Sequence, residues 1–192
     1  MRKQHQVKTS PPKFEEEKFR ELIIYIADKC ENHTLFGSVK LNKVLFYSDF
    51  LAYKVWGKPI TGADYLALER GPGPRALVPI RQDMIRKRDI APDNRMFQNR
   101  LVSLRDAKLN LFSAQEIALV DKVIHILKNE NAEAVSELSH AFLGWKAAWA
   151  ESTATGKKIS IPYGTVFVES PPLDEFEAAH GLDLAGKYGW AV

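Results

Sequence analysis

The chain has one cysteine, Cys30, among 192 residues. A lone thiol cannot build an internal disulfide framework, and it fits a reducing compartment. No apolar run approaches the roughly 20 residues that a bilayer-spanning helix needs. The first residues are charged but no apolar stretch follows them, so no secretory leader is expected. Charge of one sign is scarce too. Lys and Arg number 27 against 24 Asp and Glu, a net +3 that excludes a histone-like polycation. What remains is an ordinary globular composition, 45% hydrophobic and 27% charged. A chain of this length holds one domain plus tails and buries enough surface to fold without a disulfide or metal staple. The expectation is a single cytoplasmic domain.

The small net charge hides a pattern. Residues 70–108 carry ten basic and four acidic side chains, whereas residues 109–192 carry six and eleven. Segments of opposite sign give a basic and an acidic face if they fold apart, through solvation alone or through binding of a partner.

Residues 1–18 read as a basic tail, residues 19–168 as the domain and residues 169–192 as an acidic, glycine-containing tail. From Lys13 the spacing turns helical, with Phe19, Leu22, Ile23, Ile26 and Cys30 on one face. Pro11 and Pro12 suit its first turn. Ser38 is the expected N-cap of a second helix reaching Trp56. Its stripe of Leu41, Val44, Leu45, Ser48, Leu51, Ala52 and Val55, with aromatic residues on another side, predicts the buried centre of the domain, with Leu45 and Leu51 fully covered. Residues 64–69 alternate like a strand. Arg70 to Pro74 (RGPGP) reads as a rigid loop without regular structure. Residues 75–88 predict a helix with Leu77, Ile80, Met84 and Ile85 inward and Arg81, Arg86 and Arg88 outward. Residues 101–105 are a second strand candidate. Ser113 and Glu116 form a capping box before the stripe Ile117, Val120, Ile124 and Leu127. Asn131 can cap a helix carrying Val135 and Leu138, and Trp145 and Trp149 share a face of the next. Residues 158–163 are extended, and Val166 to Val168 read as a last strand or turn. The fold class is α+β, mainly helical: one domain of about five to seven helices with a small antiparallel β element.

Catalytic templates find little to hold. Cys30 and His33 have a C-x2-H spacing, but zinc needs three or four ligands. Ser139 and His140 are neighbours on a helix and point about 100° apart, so they cannot form a nucleophile–base pair. The glycines of RGPGP lack the spacing and following lysine of a phosphate loop. Asp49 lies in an apolar helix and needs a partner, for which Lys43, Arg70 and Arg75 are candidates. No enzyme, cofactor or metal is expected. The candidate partner-binding residues are Arg70, Arg75, Arg81, Arg86, Arg88 and Arg95. They could neutralise phosphates. However, no helix-turn-helix, zinc-finger or RNP-like pattern accompanies them, and arginine forks pair equally well with carboxylates of a protein partner.

Several motifs resemble one family. Lys40 to Phe50 (KLNKVLFYSDF) is similar to the K-L-x-K-L-L-[FY]-Y-[AS] helix of the SocA-like antitoxin, or Panacea, domain. The turn Gly57 to Ile60 (GKPI), the RGPGP segment, Leu138-Ser-His140 with Trp145 and Trp149, and Ile161-Pro162 follow in the family's order. Two positions depart from the pattern: Arg70 stands where Tyr is usual, and Gly73 where Val is. The resemblance spans about residues 19–168 and implies a bacterial or phage-associated antitoxin. Such a protein neutralises a cognate toxin by direct binding, in one branch as an adaptor delivering the toxin to a ClpXP-type protease. Two rivals stay open: a nucleic-acid-binding regulator using residues 70–108, and an interaction module without a toxin partner.

Overall fold

The computed structural model describes residues 12–93 and 100–168. Arg95 and both outer tails, residues 1–11 and 169–192, lie outside that range.

Six helices carry the fold: α1 (Glu16–Lys29), α2 (Ser38–Trp56), α3 (Leu77–Arg86), α4 (Ala114–Leu127), α5 (Ala132–His140) and α6 (Leu143–Thr155). Two antiparallel hairpins interrupt them, β1 (Tyr65–Leu68) with β2 (Gly71–Pro74) and β3 (Ile90–Asp93) with β4 (Arg100–Ser103). The class is α+β, mainly helical, as the patterning predicts. No described helix is long and apolar enough to cross a membrane.

Helix α2 is the hub, packing on α1, α4, α5, β2 and the 3-10 turn Tyr163–Phe167. Its Val44, Leu45, Phe46, Phe50 and Ala52 are inaccessible or nearly so. Two expectations fail toward its C-terminal end, where less protein surrounds the helix: Leu51 is only half-buried and Val55 is 65% exposed. Ser38 is the first helical residue rather than the cap, a position taken by Gly37. Helix α1 starts at Glu16, so the prolines precede it instead of occupying its first turn. The Glu15 amide donates to the Thr61 carbonyl at 2.8 Å, which ties the entry of α1 to the chain after α2.

The capping box at Ser113 and Glu116 is present, and Asn131 caps α5. On α5, Val135 is buried but Leu138 is 53% exposed, because this short helix presents a single face. Val166 to Val168 form no strand; they close the 3-10 turn. In α3, Leu77, Ile80 and Met84 are buried while Ile85 is half-buried.

The main correction concerns Arg70 to Pro74, expected as an irregular loop. Gly71–Pro74 is strand β2, with Pro72 opposite Ala67 and Pro74 opposite Tyr65. In an antiparallel pair, every second residue turns its amide away from the partner strand. The Arg75 amide bonds the Asp64 carbonyl on β1's side, so residues 72 and 74, of the other parity, face outward. Prolines at those positions remove only outward amides and leave the ladder intact. The opposite side of β1 is also covered: the Ala67 amide bonds the Ile159 carbonyl, and the Ile161 amide bonds the Tyr65 carbonyl.

Leu45→Ala should lower stability by about 2–5 kcal/mol, the range for a leucine truncated in a closed core. Leu51→Ala should lower it clearly less. Urea unfolding of the two variants side by side measures the difference, and equal losses would contradict the burial seen here.

Candidate partner-binding site

The turn of the β1–β2 hairpin is gripped from three helices. Lys43 of α2 extends under it and donates from Nζ to the carbonyls of Arg70 at 2.5 Å and Pro72 at 3.3 Å. Trp145 of α6 donates its indole N–H to the Leu68 carbonyl at 3.1 Å. His140, the last residue of α5, stacks on Trp145 with ring centroids 4.1 Å apart and planes 17° apart. Trp149 stacks on the far side of Trp145 at 5.6 Å. Outward carbonyls of a strand followed by prolines have no neighbouring strand to bond, and a buried carbonyl without a donor is costly. The side chain of Lys43 supplies those donors, and Trp145 adds one to Leu68, whose carbonyl faces β2 across the turn.

Gly71 makes the grip possible. It adopts φ +87°, a conformation that L side chains rarely take. A Cβ there would collide with Lys43 Nζ and Ser139 Oγ.

Burial sets the charge state of this cluster. Lys43 is 1% exposed, and desolvation lowers its pKa from 10.5 to about 7. Its amine can hold both carbonyls without a proton to spare. His140 is also shifted down, first by burial and then by the nearby Lys43, against the pull of the Glu69 backbone and Glu137. Ser139 is fully buried and donates to the Ser136 carbonyl at 2.7 Å, a structural use of the hydroxyl.

Asp49 does not pair with Lys43, Arg70 or Arg75 as expected. Six positions along α2 separate it from Lys43, which turns it to another side of the helix. There Thr61 donates its amide and hydroxyl to the two carboxylate oxygens at 2.6 and 2.5 Å, and Tyr65 donates its hydroxyl at 2.9 Å. The Tyr163 hydroxyl lies 3.3 Å from Asp49 but is closer, at 2.8 Å, to the Ala63 carbonyl, which takes its single proton. Burial raises the Asp49 pKa despite these bonds, because no cation faces it. Thr61, Tyr65 and Tyr163 were not singled out in the sequence; Tyr163 is 114 positions from its partner, and no local pattern marks it.

The candidate arginines divide sharply. Arg75 is held by Asp64 at 2.5 Å and Ser160 at 3.1 Å, and Arg86 by Asp83 at 3.1 Å. Arg70 is exposed at the hairpin turn, and Arg88 is exposed after α3 with φ 59°. Arg81 is half-buried rather than outward, with a buried Nε that has no partner. None of Arg70, Arg81 and Arg88 forms an ion pair with a described residue. Arg95 lies outside the described residues. The rest of the basic run is engaged in intramolecular contacts, with Lys87 meeting Asp83 at 2.9 Å on the surface. Arg105 reaches both Glu21 carboxylate oxygens at 2.7 and 2.8 Å and Asp89 at 2.6 Å. Arg100 donates to the Glu31 carbonyl, and Lys108 meets Glu17 at 3.1 Å. Arg70 and Arg75 also flank the four-residue strand β2, five residues and so about 17 Å apart at 3.3 Å per residue. The described residues of 70–108 therefore do not form one continuous basic face.

Beside Arg70 a cleft of about 310 Å³ opens between the hairpin turn and the first turn of α2, lined by Ser38, Asn42, Leu68, Glu69 and Arg70. Asn42 Oδ1 is buried there without a partner. Cys30, by contrast, is buried in the core with its pKa pushed up to about 12, and no group of three ligating side chains that could hold a metal occurs among the described residues.

Residues 41–146, more than half of the chain, match the family described as antitoxin SocA-like, Panacea domain. The chain belongs to that family. The matched stretch contains Lys43, the whole hairpin, Ser139, His140 and Trp145, the parts that build and hold the β1–β2 turn. No curated protein and no solved structure matches the chain.

Lys43 makes stability depend on pH. The folded protein releases this proton near pH 7, whereas the unfolded chain keeps it to about 10.5, so stability rises with pH between the two values. Below pH 7 both states are protonated and the burial penalty is fully present. Cys30 and the buried tyrosines act in the opposite direction above about pH 9, which leaves pH 7–9 as the clean window. Lys43→Met should remove a positive slope of up to about 1.4 kcal/mol per pH unit there. Gly71→Ala should destabilise by more than about 1 kcal/mol at every pH. Denaturant titrations at pH 7, 8 and 9 check both.

Proposed function

We propose that the protein is an antitoxin that neutralises a cognate protein toxin by direct binding, and that the clamped hairpin turn and the unpaired arginines supply contacts. The family membership carries this reading. The site's chemistry supports it: Lys43, Ser139, His140 and Trp145 hold the turn from within, while Leu68, Glu69 and Arg70 are left exposed at its tip. A rigid tip loses little conformational freedom on binding. Arg70, Arg81 and Arg88 are free to meet carboxylates of a partner, whereas Arg75 and Arg86 already have theirs. The internal use of Arg100, Arg105 and Lys108 weighs against the nucleic-acid rival, which needs many phosphates neutralised along one surface. Delivery of the bound toxin to a ClpXP-type protease is the further step that this reading admits, in a cytoplasmic, phage-associated toxin–antitoxin pair.

The direct test is to search the reading frames neighbouring its gene for one whose expression arrests growth and to co-express the two. Growth rescue is expected from the unaltered chain. Arg70→Glu combined with Arg81→Gln and Arg88→Glu should abolish rescue and weaken binding of the purified pair at least tenfold. Arg75→Glu with Arg86→Glu should weaken it less. Unchanged rescue by the first variant would move the interface away from these arginines. Tight DNA binding by the parent, falling steeply with salt, would favour the regulator instead.

A further inference from the structure

We infer that one flank of α3, the stripe Val78, Arg81, Ile85 and Arg88, docks an acidic amphipathic helix of the protein partner. The inference rests on the antitoxin reading and names the element that this part of the surface takes. The four positions are spaced three, four and three apart, so they line up along one side of the helix. A stripe of that spacing is the seam against which a second helix packs. Val78 is 55% exposed, Arg81 and Ile85 are half-buried, and Arg88 is exposed. Asp83, the only carboxylate of α3, lies about 200° around the helix from Arg81 and Ile85. There it meets Arg20 of α1 at 2.8 Å, Lys87 at 2.9 Å and Arg86 at 3.1 Å. The charge of Asp83 is therefore engaged on the flank away from the seam.

Arg88 follows the cap of α3 with φ 59°. Its amide bonds the Ile85 carbonyl at 3.1 Å, and the Asp89 amide bonds the Met84 carbonyl at 2.9 Å. That pair of bonds is the Schellman termination, in which the left-handed residue is usually glycine. Gly57 and Gly156 end α2 and α6 in the same left-handed conformation. Among the described residues, Arg88 alone adopts positive φ without being glycine. An arginine there carries a backbone penalty that glycine would not, and its guanidinium makes no ion pair among the described residues to offset it. A long cation kept at a strained position without an internal partner is accounted for by an external one. Arg81 and Arg88 are seven residues apart, about 10 Å along the axis, which matches two carboxylates two turns apart on a facing helix. Val78 and Ile85 meet the apolar residues of that helix. A second copy of the chain would set cation against cation, so the seam fits an acidic partner instead.

The test uses the purified full chain with the growth-arresting protein found beside its gene. Arg88→Gly should raise the thermal midpoint of the free chain by about 2–4 °C and yet weaken binding at least tenfold. Arg88→Lys should leave the midpoint in place and keep most of the affinity. Val78→Glu puts a carboxylate in the first turn of α3, where the helix dipole favours it, so this variant should fold normally and also bind at least tenfold more weakly. A photo-crosslinking phenylalanine analogue at exposed Gln82, beside the stripe, should join the chain to a partner segment with acidic and apolar residues at helical spacing. The same group at exposed Lys146 on α6 should not. Full binding by Arg88→Gly and Val78→Glu, with the parent pair intact, would overturn the docking site and leave the antitoxin reading standing. A midpoint that does not rise would remove the strain argument, and a crosslink to a basic or extended segment would overturn the acidic helix. If the parent rescues growth from no neighbouring reading frame, the antitoxin reading falls and this inference with it.

Discussion

A two-stranded hairpin rich in proline has too few backbone donors around it to be stable by itself, and this fold meets the deficit with side chains. Lys43 satisfies the carbonyls of Arg70 and Pro72, and Trp145 that of Leu68. The two donors come from α2 and α6, and His140 of α5 stacks on the second, so the turn holds its shape only when all three helices are packed around it. The dependence is mutual. His140 stacks on Trp145, and Ser139 sits against Gly71, so the end of α5 is positioned by the hairpin that it helps to hold.

Burying an ammonium group is expensive unless the group gives up its charge or gains strong partners. Lys43 does some of both: its pKa falls to about 7, and its two acceptors are backbone carbonyls, which cannot move away to solvent. Asp49 on the same helix shows the opposite solution. It gathers neutral donors from Thr61 and Tyr65, so α2 carries a cation and a carboxylate into the interior that never meet. A direct ion pair would link two points on one helix. The arrangement found ties α2 to the hairpin on one side and to the chain around Thr61 and Tyr163 on another, which is a use of buried polarity that specifies how elements assemble.

Much of this was legible in the sequence, for reasons that differ by residue. Helical periodicity located α1, α2 and α4, and local chemistry located the caps at Ser113 and Asn131, because both signals lie within a few neighbouring positions. The motif order from Lys40 through RGPGP to Trp149 gave the family. The roles inside that order were not legible. Proline and glycine content argued against a strand, and only the register shows that prolines two apart can share the outward side. Arg75, Arg86 and Arg105 looked like a basic surface because their carboxylate partners are 11, 3 and 84 positions away. Charge runs report where cations are in the chain, not which of them folding has already used.

That distinction bears on which residues of this fold can change without loss of the clamp. Lys43, Gly71 and Trp145 are here committed to the hairpin clamp, and the carbonyls of Leu68, Arg70 and Pro72 already have side-chain donors. The groups that remain uncommitted lie around it: Arg70 at the tip, Arg81 and Arg88 near α3, and the open side of the cleft by Asn42. Substitutions at such positions leave the clamp's hydrogen bonds untouched and change stability little, while each one alters the charge or shape presented to a partner. A cation at position 70, in place of the tyrosine that the sequence resemblance leads one to expect, is a change of this sort. It keeps the carbonyl that Lys43 needs, since every residue type supplies one, and replaces a neutral ring at the tip with a cation.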